Sequence, residues 1–328
     1  MCRAVGLNIS FSIKRESPMK LRNLLPLLGL MASAAHADAV TIQSCGVSQV
    51  FDKTPSRAIT LNQQATEVML ALGLQEAMVG TAYIDDAIPA QWNDAYESVP
   101  VLAEKYPAAE VVLAQEPDFL FAGFGSAFSE DNLGAAEKWH DLGIGTYLVD
   151  ASCKDKHLQD VPLTVAPIFE DIETVGKIFN VEDRANALID TLQQRLDSVK
   201  AAPSGAGQTA FIYDSGAETP FSIGCCGGPA LLASLTGLQS ISSDVPGTWV
   251  DLSWEHVVAA DPDVILLIEA DWSTAAEKRA HMEADPVLSA LRAVKEGRFV
   301  TVPFSETLLG MRFADGVETV NNQLAKLP

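Results

Sequence analysis

Asp251-Leu-Ser-Trp254-Glu255-His-Val-Val-Ala-Ala-Asp261-Pro262-Asp263-Val-Ile-Leu-Leu267 decides the fold, because the chain writes this passage twice. Upstream, Glu110-Val-Val-Leu-Ala-Gln-Glu116-Pro117-Asp118-Phe-Leu-Phe121 has the layout of 255–266, and its glutamate, proline and aspartate each recur 145 residues later. In each copy a proline ends a short apolar helix, since it lacks an N–H and keeps its predecessor out of helical geometry. The run that follows, 119–122 or 264–268, is short, continuous and apolar, as a strand covered on both faces should be. Each copy therefore reads as a helix feeding a central strand, and the two copies read as two similar α/β lobes.

The flanking segments fit that plan. Residues 41–51 alternate loosely around Gly46 and suit a hairpin. Residues 57–61 read as the first central strand, 62–66 as its loop, and 67–73 as a helix ended by Gly73. A strand over 78–83, a loop over 84–89, a helix over 135–142 and a strand over 146–149 complete the first lobe. Residues 168–179 and 182–202 have helical spacing, and the second segment puts Ala185, Leu188, Ile189, Leu192, Leu196 and Val199 on one face. About 20 helical residues span roughly 30 Å, enough to join two lobes. Beyond 203–207 the series resumes with a strand over 209–213, helices over 227–235 and 253–260, and a strand over 263–268. A helix over 275–284, a strand over 299–302 and a closing helix from Asp315 finish it. Such alternation means a parallel sheet with both faces covered. The expected division is a leader over 1–37, lobes over 38–167 and 203–328, and a helical segment over 168–202 between them.

The leader is read from Met19-Lys20-Leu-Arg22, an apolar stretch over 24–35 and the small-x-small site Ala35-His36-Ala37. That is the pattern of a secretory signal peptide cleaved after Ala37, with Met19 as an alternative start. The stretch is too short for a membrane anchor, and Ile42-Gln-Ser-Cys45 makes a poor lipoprotein signal. A soluble, periplasmic, monomeric protein is expected. The whole chain carries 22 basic and 43 acidic residues, a net charge of −21 that disfavours nucleic acid and anionic membranes as partners.

Export changes the reading of the cysteines. Cys2 goes with the leader, leaving Cys45, Cys153, Cys225 and Cys226 in an oxidising compartment. Cys45–Cys153 is the expected structural disulfide. The adjacent Cys225 and Cys226 can bridge to each other, stay reduced or pair elsewhere. A redox enzyme is the alternative they raise, although such work ordinarily uses Cys-x-x-Cys.

Ligands in open α/β sheets sit at the carboxyl ends of the strands. In the first lobe those positions hold Asn62, Gln63, Tyr83, Phe124 and Ser126. In the second they hold Tyr213, Trp272, Phe304 and Arg312, with Trp249 ahead of the repeat helix. Any one aromatic could simply pack at a lobe edge, but the set suits a flat, polar-edged organic molecule gripped between lobes. Catalytic signatures are missing: there is no Gly-x-Ser-x-Gly, phosphate-loop lysine or His-Glu-x-x-His. The five histidines are scattered without metal-ligand spacing, so no metal site is expected.

At this point the chain resembles the substrate-binding proteins of the iron-siderophore, haem and cobalamin class of ABC importers, over nearly everything after residue 41. The likeness is carried by Pro55-Ser-Arg57-Ala-Ile-Thr-Leu61, Ala71-Leu-Gly-Leu74, 110–118, Ser253-Trp-Glu255 through Asp263, and Ala293-Val-Lys-Glu-Gly-Arg-Phe-Val300. Within the class, Thr60-Leu-Asn-Gln63, Gly80-Thr-Ala-Tyr83 and Trp272-Ser-Thr-Ala275 are most similar to a branch associated with a deazaflavin cofactor precursor. The resemblance implies two Rossmann-like lobes joined by one long helix, no resident cofactor, and a ligand that can itself carry iron or cobalt. It implies that Glu110 and Glu255 accept arginines of an inner-membrane permease dimer, which would fix docking register. Both glutamates also suit helix N-termini for dipole reasons alone. Arg312 as the one cleft arginine argues against a highly anionic chelate. A ligand sensor without transport is a further alternative.

Overall fold

A computed structural model describes residues 1, 6–15, 39–153 and 161–328. Met19, the apolar stretch of the expected leader and its cleavage site at Ala37 lie outside these residues. The chain divides into two compact units, Met1–His36 and Ala37–Pro328. Every regular element among the described residues belongs to the second.

That unit opens with an antiparallel hairpin, β1 (Val40–Ser44) and β2 (Val47–Phe51). A five-stranded parallel sheet follows, made of β3 (Ala58–Leu61), β4 (Met78–Ala82), β5 (Val101–Ala103), β6 (Phe119–Ala122) and β7 (Gly145–Leu148) in the order β5-β4-β3-β6-β7. The second sheet holds β8 (Thr209–Ser215), β9 (Phe221–Ile223), β10 (Gln239–Ser240), β11 (Trp249–Asp251), β12 (Val264–Glu269) and β13 (Phe299–Pro303). Its order is β11-β9-β8-β12-β13, with β10 beside the start of β8. Strands β8, β10, β12 and β13 run parallel, but β9 is antiparallel to both β8 and β11. The expected all-parallel second sheet is therefore a mixed one. β9 and β11 have three residues each, too few to print a periodic signal.

The duplicated passage does the same job in each sheet. Helix Ala109–Leu113 feeds β6 beside the central β3, and helix Trp254–Ala260 feeds β12 beside β8. Glu116 and Asp261 both take left-handed backbone, at φ +47° and +37°, directly before the proline that ends the helix. Asp118 accepts the N–H groups of Ser56 and Arg57 at 2.9 and 2.8 Å, while Asp263 accepts those of Thr209, N–H at 2.8 Å and hydroxyl at 3.0 Å. Each repeat aspartate thus pins the start of the neighbouring central strand, whose first donor would otherwise lack a partner.

The helix Glu182–Ala201 links the lobes by charge at both ends. Arg184 near its start donates to the Leu72 carbonyl at 2.6 Å, while Arg195 pairs with Asp315 and Glu318 on the closing helix Phe313–Leu324. It crosses helix Ala166–Ile178 so closely that a Cβ on Gly176 would lie 2.6 Å from that of Ala185. An alanine at 176 could not be accommodated without moving one helix.

The hairpin guards the open edge of the first sheet. The Gln49 side chain bonds both the N–H and the carbonyl of Thr146, and the Ser44 hydroxyl accepts from Leu148 N–H. The expected Cys45–Cys153 disulfide is present and ties the hairpin turn to the chain just beyond β7. Strand edges left bare invite pairing with other chains, and here two side chains stand in for a strand.

Candidate functional site: the gap between the two sheets

On the first-lobe side, the polar residues after β3 brace loops. Helix Gln63–Ala71 begins four residues before the expected start at Glu67, because Asn62 turns the chain at φ +79° directly off the strand. Thr66 then hydrogen-bonds Thr60 and Thr81 at 2.9 Å each, so residues that read as a polar loop are buried helix. The Asn62 side-chain oxygen Oδ1 accepts from Phe124 N–H and from the Tyr106 hydroxyl, at 3.1 Å each, and Tyr106 also meets Ser126 at 2.8 Å. Gln63 accepts from Asp85 and Asp86 N–H and donates to Glu67. Around them Tyr83 and Tyr106 meet edge to face at 4.8 Å, with the Lys105 ammonium 4.2 Å from the Tyr83 ring centre. Tyr106 thus links Tyr83, Ser126 and, through Asn62, the backbone of Phe124, with Lys105 beside them.

On the second-lobe side four rings form a continuous strip. Phe221 stacks on Trp249 at 5.9 Å, Trp249 meets Phe304 at 6.1 Å, and Phe304 meets Trp272 edge-on at 4.9 Å. Trp272 is 55% exposed. Its turn is stiff, because buried Lys278 donates to the carbonyls of Asp214, Ile268 and Ser273, and Glu269 accepts from Ala275 N–H. Burial holds the Lys278 ammonium below its ordinary pKa range.

Tyr213 does not belong to this strip. It is 1% exposed, stacks on Phe211 and meets Trp254 edge to face at 5.3 Å each, and donates its hydroxyl to the Gly216 carbonyl. Side chains alternate along a strand, and Tyr213 falls on the face covered by helices Trp254–Ala260 and Ala275–Ala284. The expectation that it contacts ligand is corrected: it is core.

Where the lobes meet, the contacts are polar. Arg312 of the second lobe lies 3.7 Å from Glu67 of the first, 3.2 Å from Glu306, and donates to the Ala87 carbonyl. Ser305 N–H donates to Asp86 at 2.9 Å, and a Cβ on Gly310 would stand 3.2 Å from Gln64. Burial pushes the Glu67 carboxyl up to about 7, opposed by its bond from Gln63 and by the Arg312 charge. Burial likewise raises Glu306. Arg312 is buried and already shared between two carboxylates, so the expected ligand-facing arginine is instead a tie between lobes. Asp85, Asp86, Glu306 and Phe221 were missed as site members. Their signal was adjacency, since three of them follow a strand-end aromatic within three residues.

Glu110 and Glu255 are each the second residue of their helix and both are exposed. Neither carboxylate has an ion pair among the described residues. Cys225 and Cys226 are bonded to each other, and Cys226 is fully buried. The N–H groups of Gly224, Cys225 and Cys226 pair with carbonyls of 245–248, which run into Trp249. Among the described residues no cluster of metal-ligating side chains is found, and no helix is long and apolar enough to cross a membrane.

Two sheets whose strand-end loops meet across a gap, joined by one long helix, define a bilobal binding protein. The chain belongs to the periplasmic binding protein family, whose profile matches residues 59–306. It is 24% identical over 285 residues to an uncharacterised ABC transporter substrate-binding lipoprotein, YvrC, of Bacillus subtilis, covering 85% of this chain and 83% of that one. Among solved structures, a periplasmic binding protein of Veillonella parvula is 26% identical with a TM-score of 0.77, covering 88% of this chain and 98% of that one. An ABC-type Fe3+-hydroxamate transport system protein of Saccharomonospora viridis is 25% identical with a TM-score of 0.71, covering 87% and 98%. The haem-binding protein HutB of Vibrio cholerae shares the fold at 20% identity and a TM-score of 0.66, covering 83% and 99%.

Proposed function

We propose that this protein is the exported solute-binding component of an ABC importer, which captures a compact cofactor-like or metal-chelate ligand between its lobes and delivers it to a membrane permease. The observation that carries the reading is the meeting of strand-end loops from the two lobes, Ser305 with Asp86 and Arg312 with Ala87, beside Tyr83 and Tyr106 on one lobe and Trp249, Trp272 and Phe304 on the other. Membership of the family and the likeness to substrate-binding proteins of importers support it. The Glu182–Ala201 helix, tied to both lobes, favours limited closure on the ligand. Glu110 and Glu255, exposed at equivalent helix starts, are the carboxylates proposed to receive permease arginines, one per lobe.

The test uses Glu110→Ala together with Glu255→Ala in the native host. Uptake of the ligand identified by native mass spectrometry of the host-purified protein should fall to background, while its affinity for the purified variant stays unchanged. Normal uptake by the double variant, or lost affinity, would sink the docking role.

A further inference from the structure

Each lobe presents the same short pattern at the junction: an aromatic ring followed two residues later by a carboxylate. Tyr83 and Asp85 follow β4, and Phe304 and Glu306 follow β13. The two loops touch, since Ser305 N–H donates to Asp86 and Arg312 reaches the Ala87 carbonyl. Resting on the reading of this gap as the ligand site, we infer that its ligand is a planar conjugated molecule bearing a cationic or amine donor group.

The rings account for the planar body. Phe304 connects Trp249 to exposed Trp272, and Tyr83 joins Tyr106, so each lobe sets linked rings beside the loops that meet at Ser305 and Asp86. Such faces favour flat conjugated molecules and attract cations.

The unpartnered polar atoms account for the donor group. Gln64 Oε1, Asp85 Oδ2, Glu306 Oε2 and Ser305 Oγ have no hydrogen-bond partner in the protein, and Gln64 and Ser305 are only 6% and 4% exposed. Gln64 Oε1 lies beside Gly123 at the end of β6, and the same side chain rests on Gly310 of the other lobe. Gln64 Oε1 can only accept, the Asp85 and Glu306 oxygens accept when ionised, Ser305 Oγ can accept, and Asn62 Nδ2 is an unpartnered donor beside them. A buried acceptor gains most from a group that brings an N–H or a positive charge. Arg312 is held by Glu67 and Glu306, and Lys105 sits over Tyr83 with its charge felt by Asp85. An anionic chelate meets these acceptors, while the buried Arg312 is already held by two carboxylates and exposed Lys105, over the Tyr83 ring, is the cation left beside them.

The experiment follows quenching of tryptophan fluorescence in the purified protein by three flat probes: proflavine, a cation; riboflavin, neutral; and riboflavin 5′-phosphate, an anion. Salt is kept at about 0.15 M, which screens diffuse attraction to the acidic chain. Proflavine should bind at least about tenfold more tightly than riboflavin 5′-phosphate, the size of one charge-assisted hydrogen bond. Asp85→Asn with Glu306→Gln, both isosteric, should cost proflavine about tenfold and leave riboflavin within about twofold. Trp272→Ala, on an exposed turn, should weaken both. Equal or tighter binding of the phosphate, or undiminished proflavine affinity in the double carboxylate variant, would overturn the assignment. Either result leaves the importer reading standing, because that rests on uptake; lost uptake dependence with cation preference intact would do the reverse.

Discussion

Glu110 and Glu255 start matching helices, yet the surfaces around them are of opposite shape. Beside Glu110 the exposed side chains of Val111 and Leu113 project from the same short helix. Glu255 instead borders a hollow of roughly 400 Å³ lined by Trp254, Val258, His281, Val287 and Leu288. Inside the molecule the same two passages are used alike, with Asp118 and Asp263 each clamping the first residues of a central strand. Duplication has kept what the sheet needs and let go of what faces outward. A partner gripping both glutamates would meet an apolar bump on one lobe and a recess on the other, which is enough to fix orientation.

The two disulfides give the largest test of how the lobes differ. Cys45 and Cys153 close a loop with a sequence separation of 108, whereas Cys225 and Cys226 are adjacent. Chain-entropy reasoning assigns a long loop about 2–5 kcal/mol and an adjacent pair almost none. Cys45→Ser with Cys153→Ser should therefore lower unfolding stability by about 2–5 kcal/mol in urea titration. Cys225→Ser with Cys226→Ser should cost under about 1 kcal/mol. Equal losses would mean that the adjacent pair organises its lobe in a way loop closure does not capture.

Next in size come the clamps. Asp118→Ala and Asp263→Ala should each cost about 1–2 kcal/mol, since each strands backbone donors of a neighbouring strand. The two losses should agree within about 1 kcal/mol. A large disparity would break the equivalence of the copies.

Two buried or pinned carboxylates should answer pH with opposite signs. Asp171, on the helix Ala166–Ile178, accepts from the Tyr147 hydroxyl at 2.6 Å and from Asp150 N–H, and burial pushes it up to about 7, as it does Glu67 in the first lobe. A carboxyl raised on folding holds its proton longer in the native state, so its contribution is present at low pH and is lost as pH rises from about 4 to 7. Asp263 in the second lobe is lowered, chiefly by the hydrogen bond from Thr209 N–H. Its contribution is present above about 4 and is lost as pH falls further. Asp171→Asn should flatten the decline between pH 4 and 7 by at least about 1 kcal/mol, measured by denaturation across pH. An unchanged slope would show that another group carries it. The smallest effect is expected outside: Glu110→Ala and Glu255→Ala should each change stability by under about 0.5 kcal/mol, because neither is tied into the fold.

Legibility followed burial and period. Helices Ala166–Ile178, Glu182–Ala201 and Ala275–Ala284 lie within two residues of their sequence-based bounds, since each runs long enough to repeat its apolar face. Gln63, Gln64 and Thr66 misled because polar side chains ordinarily mark loops. Here Thr66 bonds Thr60 and Thr81, Gln63 bonds the 85–86 backbone, and Gln64 is buried against Gly123 and Gly310. Tyr213 misled in the opposite way: a strand-end aromatic was assigned to the gap, although one step along a strand reverses the face.

The sequence by itself determined two related α/β halves, a linking helix, and the recurrence of Asp118 as Asp263, because local periods, prolines and repeated spacing act within a few residues. Only the tertiary structure decided that Arg312 is spent on Glu67 and Glu306, and that Ser305 meets Asp86. Those facts depend on which loops of separate lobes come into contact, and no short-range pattern in the chain encodes that meeting.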